Sequence, residues 1–158
     1  MTDIEITPAD ENHFKAHEAE LEILRHEVFD TIRRELETLR SARRPGDEYF
    51  NGTEVRSFVR CSRPVGHGGL KRIRPWTRNH FWGYRPGRSI PSHLCYGRRG
   101  RTRDLCYWGH WDSSERFILH TFYPGRPAPR EIHDPDITLE ELPVSLRFWM
   151  RHAIIVDR

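Results

Sequence analysis

Two β-rich runs decide the fold: Asp104–Trp111, DLCYWGHW, and Arg116–Tyr123, RFILHTFY, joined by Asp112-Ser113-Ser114-Glu115. Aromatic and aliphatic residues dominate both runs, and the four residues between them have turn chemistry, so the pair predicts an antiparallel hairpin. Pairing Trp111 with Arg116 sets Tyr107 opposite His120 and Trp108 opposite Leu119. Pro124-Gly125 stops the second strand, and the Pro-rich stretch from Arg126 to Pro135 cannot join a ladder. Glu54–Cys61 alternates well enough to supply another strand, and Ala153–Val156 reads as a terminal one. Trp76 to Tyr84 is predicted as a loop or a short strand rich in aromatics.

Upstream of the strands the period changes. Thr7 can cap a helix, Pro8 suits its first position and Asp10 its positive dipole end. Phe14, Leu21, Leu24, Val28, Ile32, Leu36 and Leu39 recur at helical spacing, and Arg43-Arg44-Pro45-Gly46 marks a stop. Near the other end Thr138 and Glu141 fit a capping box, Pro143 restarts the helix, and Ser145–His152 forms its second piece. The expectation is an α+β protein: a long N-terminal helix packed on a small antiparallel β-sheet, with short C-terminal helices. Residues 1–46 are then an amphipathic helix and residues 47–158 a basic α+β domain.

With 36% apolar and 31% charged residues, the core must be small and the surface heavily charged. The net charge of +3 conceals a segregation. Residues 1–48 carry 13 acids against 7 bases, residues 56–103 carry 13 bases and no Asp or Glu, and residues 104–158 carry 9 acids against 6 bases. A mixed surface scatters both signs, so a block of this length without an acid points to a polyanionic partner. Arginine outnumbers lysine twelve to one in it, which suits planar contacts to phosphate. Arg74, Arg78, Arg85 and Arg88 interleave with Trp76, Trp82 and Tyr84, and Arg98, Arg99, Arg101 and Arg103 follow. Cations on phosphates with aromatics on exposed bases are the chemistry of RNA binding.

Ten histidines add a second signal. Histidine both takes and gives a proton near neutral pH, which RNA cleavage by 2′-hydroxyl attack requires. His120 and His93 are the candidates for proton transfer, with Arg130 and Arg98 stabilising the phosphate and Thr121 and Tyr123 orienting it. This chemistry calls for no cofactor. His13 and His17 share a helix face without an HExxH motif, and Cys95, Cys106, His93 and His110 match no zinc-finger spacing, so no metal site is expected.

The stretch Phe117 to Pro135, FILHTFYPGRPAPREIHDP, resembles small bacterial ribonuclease toxins of the barnase, EndoU, colicin-type and RelE-like group, in which a strand ends in a T-x-Y/F-P-G turn. The matching residues are His120, Thr121, Tyr123, Pro124 and Gly125. The resemblance implies N-terminal helices followed by an antiparallel sheet, metal-independent cleavage of tRNA or mRNA, and a cognate inhibitor protein.

Two other readings stand beside the endoribonuclease. One is a non-catalytic RNA- or DNA-binding module. The other is an interaction protein, a homodimer included, that pairs through the helix face bearing Leu24, Val28 and Ile32. Three cysteines without CxxC spacing read as reduced thiols, and no segment reads as a signal or a membrane span, which predicts a cytoplasmic protein.

Overall fold

The computed structural model describes residues 3–157. In chain order the elements are β1 (Glu5–Pro8), α1 (Glu11–Glu18), α2 (Arg25–Ser41), β2 (Glu54–Arg60), β3 (Gly66–Gly68), β4 (Leu70–Arg72), β5 (His80–Tyr84), β6 (Pro91–Tyr96), β7 (Gly100–Thr102), β8 (Asp104–Ser113), β9 (Arg116–Pro124), α3 (Leu142–Trp149) and β10 (His152–Val156). They divide into two compact units interleaved in sequence: residues up to Gly68 with Arg101–Pro127, and Gly69–Gly100 with the chain from Ala128 onward. No helix among the described residues is long and apolar enough to cross a membrane.

The first unit holds a four-stranded sheet, β1-β9-β8-β2, and the small β3-β7 pair. Its core lies between one sheet face and the two N-terminal helices. Val28, Ile32 and Leu36 on α2 and Phe14 on α1 are fully buried, together with Leu105, Tyr107, Trp111, Phe117, Leu119 and Phe122 from β8 and β9. Phe14 meets Phe122 edge-to-face at 4.9 Å, and Trp111 sits between Phe50 and Phe117 at 5.0 and 5.3 Å. Such pairs add about 0.5–1.5 kcal/mol each beyond the area they bury. Arg40, buried in the last turn of α2, donates to the Ser114 carbonyl at 3.1 Å and fastens the helix to the hairpin turn.

The second unit holds the sheet β4-β10-β6-β5 and α3. Here β10 runs parallel to β6 and antiparallel to β4, and β5 is an antiparallel edge strand. Trp149, buried at the end of α3, donates its indole N–H to the carbonyls of Pro129 and Arg130. That bond holds the Pro-rich loop against the unit.

The long N-terminal helix on one antiparallel sheet is corrected. Residues 5–8 are a strand, parallel to β9, with Pro8 opposite Leu119. An edge strand tolerates this proline, since its missing N–H leaves no ladder bond unmade. Asp10, not Thr7, caps α1, accepting from the backbone N–H groups of Asn12 and His13. The helix then breaks over residues 19–24, where Leu21 bridges to Gly66 and the Glu22 N–H donates to the Val65 carbonyl. Glu27 accepts the Leu24 N–H at 2.7 Å and starts α2 afresh. Strand pairing to the β3 segment outcompetes helical continuation because it satisfies backbone groups of both segments. Two of the three sheets are four-stranded, each contains a parallel pair, and one C-terminal helix, Leu142–Trp149, stands where two short pieces were expected. Thr138 does cap its entry, its hydroxyl accepting from the Glu141 N–H.

Candidate nucleic-acid interface

Charge separates by unit. The first unit carries 14 bases against 17 acids, a net −3; the second carries 12 bases against 6 acids, a net +6. The ion pairs of the second unit engage Arg85, Arg88 and Arg130. Glu131, with a side chain only 10% exposed, accepts from Arg85 at 3.0 Å and from Arg88 at 3.1 Å. Arg85 also donates to the Ser92 hydroxyl. Arg130 forms ion pairs with Glu141 at 3.1 Å and Asp134 at 3.9 Å within its own unit.

Four other cations of the unit gather elsewhere. Lys71 and Arg72 at the end of β4, Arg74 and Arg78 in the loop leading to β5, and the exposed Trp76 and Tyr96 line an open groove of about 490 Å³ with Thr77 and Asn79. Among the described residues, no carboxylate lines it. The Arg74 guanidinium lies over the Trp76 ring at 5.5 Å, and the Thr77 hydroxyl accepts from the Arg74 N–H, which fixes the loop locally. Arg98 and Arg99 are exposed in the loop after β6. Arg101 and Arg103 belong to the first unit, where Arg101 is paired with Glu22 at 2.8 Å.

On β5 the period-2 alternation puts His80, Trp82 and Tyr84 on one face, all exposed. Trp82 pairs with His93 across the ladder and stacks on its ring at 5.0 Å and 20°. His93 is buried. Its Nδ1 lies 2.8 Å from the His152 carbonyl and 3.0 Å from that of Trp149; a carbonyl only accepts, so Nδ1 carries the proton. Its Nε2 then accepts from His80 Nδ1 at 3.2 Å, and both ring nitrogens are engaged.

His120 lies in the first unit, on a β-bulge. Gly109 pairs with Leu119 and Trp108 with Thr121, so His120 is the extra residue on β9. A second shift makes Asp112 the extra residue on β8, and Trp111 therefore faces Phe117 rather than Arg116. Tyr107 faces Phe122 and Trp108 faces Thr121, in place of the simple register expected from the turn. His120 lies on the sheet face opposite the core residues Phe117 and Leu119, and the extra residue returns Phe122 to the core side. There it stacks on Trp108 at 4.7 Å and forms a hydrogen bond with His110, Nε2 to Nδ1, at 2.7 Å. Arg56 covers Trp108 at 5.1 Å. Burial, with His110 beside it, holds the His120 pKa below the usual histidine value, while Glu54 acts weakly the other way. His120 is therefore neutral at pH 7 and able to accept a proton.

Thr121 receives a neighbour that sequence spacing did not reveal: His13 on α1, whose Nε2 lies 2.9 Å from the Thr121 hydroxyl. Tyr123 hydrogen-bonds Cys106, and burial pushes its hydroxyl pKa up, so it acts as a donor rather than a base. His120, Thr121 and Tyr123 thus share the first unit with His13 and His110, whereas His93, Arg98 and Arg130 belong to the second. Among the described residues, no three His, Cys, Asp or Glu side chains gather as a metal site. Compared with known protein families, with characterised proteins and with solved structures, the chain matches none.

Proposed function

We propose that the protein binds RNA, with the second unit as the binding body. The observation that carries this reading is the groove of Lys71, Arg72, Arg74 and Arg78 around Trp76, lined by no carboxylate among the described residues, in a unit of net +6. Solvent-exposed arginines beside an exposed indole favour a ligand that offers both phosphate and flat bases. The test is RNA binding across a salt series, with Arg74→Gln/Arg78→Gln as the comparison. Tight binding at low salt, weakened by the double change, is the expected result.

A metal-independent endoribonuclease is the second reading, and the His110–His120 pair favours it. Two imidazoles 2.7 Å apart leave no room for a phosphate between them, so they work as one unit: His110 orients His120, and His120 removes the ribose 2′-hydroxyl proton. His13, close to Thr121, is the nearest candidate to protonate the departing 5′-oxygen. Total RNA incubated with the protein in EDTA should then yield discrete fragments with cyclic-phosphate ends. His120→Ala should abolish them and leave binding nearly intact. Persistent cleavage by that variant removes His120 from the mechanism.

A further inference from the structure

The aromatic face of β5 has no role in the structure's own packing that accounts for its exposure. Trp82 is 47% exposed and Tyr84 69% exposed, although hydrophobic side chains of this size bury well over 100 Å² when a core is available. Trp82 is nevertheless held firmly. One side stacks on His93, which is itself pinned by two backbone carbonyls, and His133 stands perpendicular to the indole at 5.3 Å. The loop bearing His133 is tied to the end of β5 through Glu131 and Arg85. Because β5 is an edge strand, no neighbouring strand covers the side of Trp82 away from β6.

We propose that Trp82 and Tyr84, cornered by His133, form a stacking platform for unpaired bases, so that the ligand of the second unit is a single nucleic-acid strand and not a duplex. This rests on the binding reading above and names its substrate class. Residues i and i+2 of a strand stand about 6.6 Å apart, so one base can lie on the open face of Trp82 and a second on Tyr84. A rigid ring loses little entropy on stacking, and every base offers a π-face, so the contact is tolerant of sequence. Charge selects the occupant: residues 69–100 contain eight bases and no acid, so a partner that brings flat rings together with negative charge is matched twice. A helical protein partner would satisfy the rings but not the cations. In a duplex the bases are already stacked on each other and cannot reach the platform.

The experiment measures binding of a labelled 12-mer RNA, its DNA counterpart, an abasic strand of equal charge, and the RNA duplex, to wild type, Tyr84→Ala, Trp82→Ala and Trp82→Phe. Each alanine change should weaken single-strand binding by roughly 10-fold, with Trp82→Phe closer to wild type. Duplex and abasic binding, and the slope against log salt, should stay unchanged, because no phosphate contact is lost. Equal losses on RNA and DNA assign the contact to the bases; a loss confined to RNA adds the ribose. Tyr84, which lies at the surface, keeps the test valid if Trp82→Ala unfolds. Single-strand binding that survives both alanine changes overturns the platform while leaving the groove intact. Absence of any binding by wild type at low salt overturns the RNA-binding reading and the platform with it.

Discussion

Gly109→Ala is the sharpest test of the register that places His120. A methyl at this position would stand 2.7 Å from Phe117 Cζ and closer still to its Cε1 and to the Ile118 carbonyl oxygen. Phe117 is wholly buried against Trp111, and the carbonyl belongs to the β8–β9 ladder, so neither can swing aside. The two strands must part locally, at a cost of about 3 kcal/mol, the upper end for overpacking. Urea unfolding followed by far-UV circular dichroism reads this loss directly. Phe117→Leu removes the clashing ring atoms but not the carbonyl, so a double-mutant cycle should show a favourable coupling of about 1 kcal/mol with most of the loss remaining. Because Gly109 abuts the bulge, the imidazole NMR signals of His110 and His120 should shift in the same variant. Stability within about 0.5 kcal/mol of wild type, below the ordinary cost of overpacking, would refute the close approach and with it the position of the bulge.

Glu131→Gln should cost the second unit about 2 kcal/mol in urea unfolding; the figure is set below that for a fully buried pair because Arg88 is half-exposed and rehydrates. For His120 the folded pKa lies below the unfolded one, so the unfolded chain binds more protons on acidification and stability falls as pH drops through the ordinary histidine range near 6.5. His120→Gln should remove part of that loss between about pH 7 and pH 5, measured as urea midpoints across the range. Val28→Asp should destabilise by more than about 3 kcal/mol, because its side chain is fully buried on the α2 seam.

Period and turn chemistry were legible wherever the signal was local. The hairpin of residues 104–124, the strand from Glu54, the buried seam Val28-Ile32-Leu36 and the terminal strand could all be read from spacing. The break over residues 19–24 could not, because Leu21 and Leu24 fit helical spacing and the competing bonds to Val65 and Gly66 come from more than 40 residues away. Leu24, read as part of the seam, is 64% exposed. Bulges at His120 and Asp112 escaped for the same reason: a four-residue turn with Trp111 opposite Arg116 predicts a simple register, and the tight approach of Gly109 to Phe117 beside the shift is not written in the turn. For the candidate site, composition located the cations but not their partners. Arg85 and Arg88 share the buried Glu131, and Arg101 is taken by Glu22, whereas Arg74 and Arg78 stay in the groove. His13 was visible only as one of an i,i+4 pair, and nothing in its spacing announced Thr121 as its neighbour.

The salt dependence of RNA binding reports how many phosphates the second unit holds. Among the described residues of the second unit, Arg85, Arg88 and Arg130 are the cations in its ion pairs, and six of the others, Lys71, Arg72, Arg74, Arg78, Arg98 and Arg99, lie in residues 69–100. If all six meet phosphates of a single strand, log affinity should fall against log salt with a slope of about −4, and Arg74→Gln/Arg78→Gln should reduce its magnitude by about 1.4. A slope near zero, or one that the double change leaves untouched, would contradict the assignment of this groove to RNA.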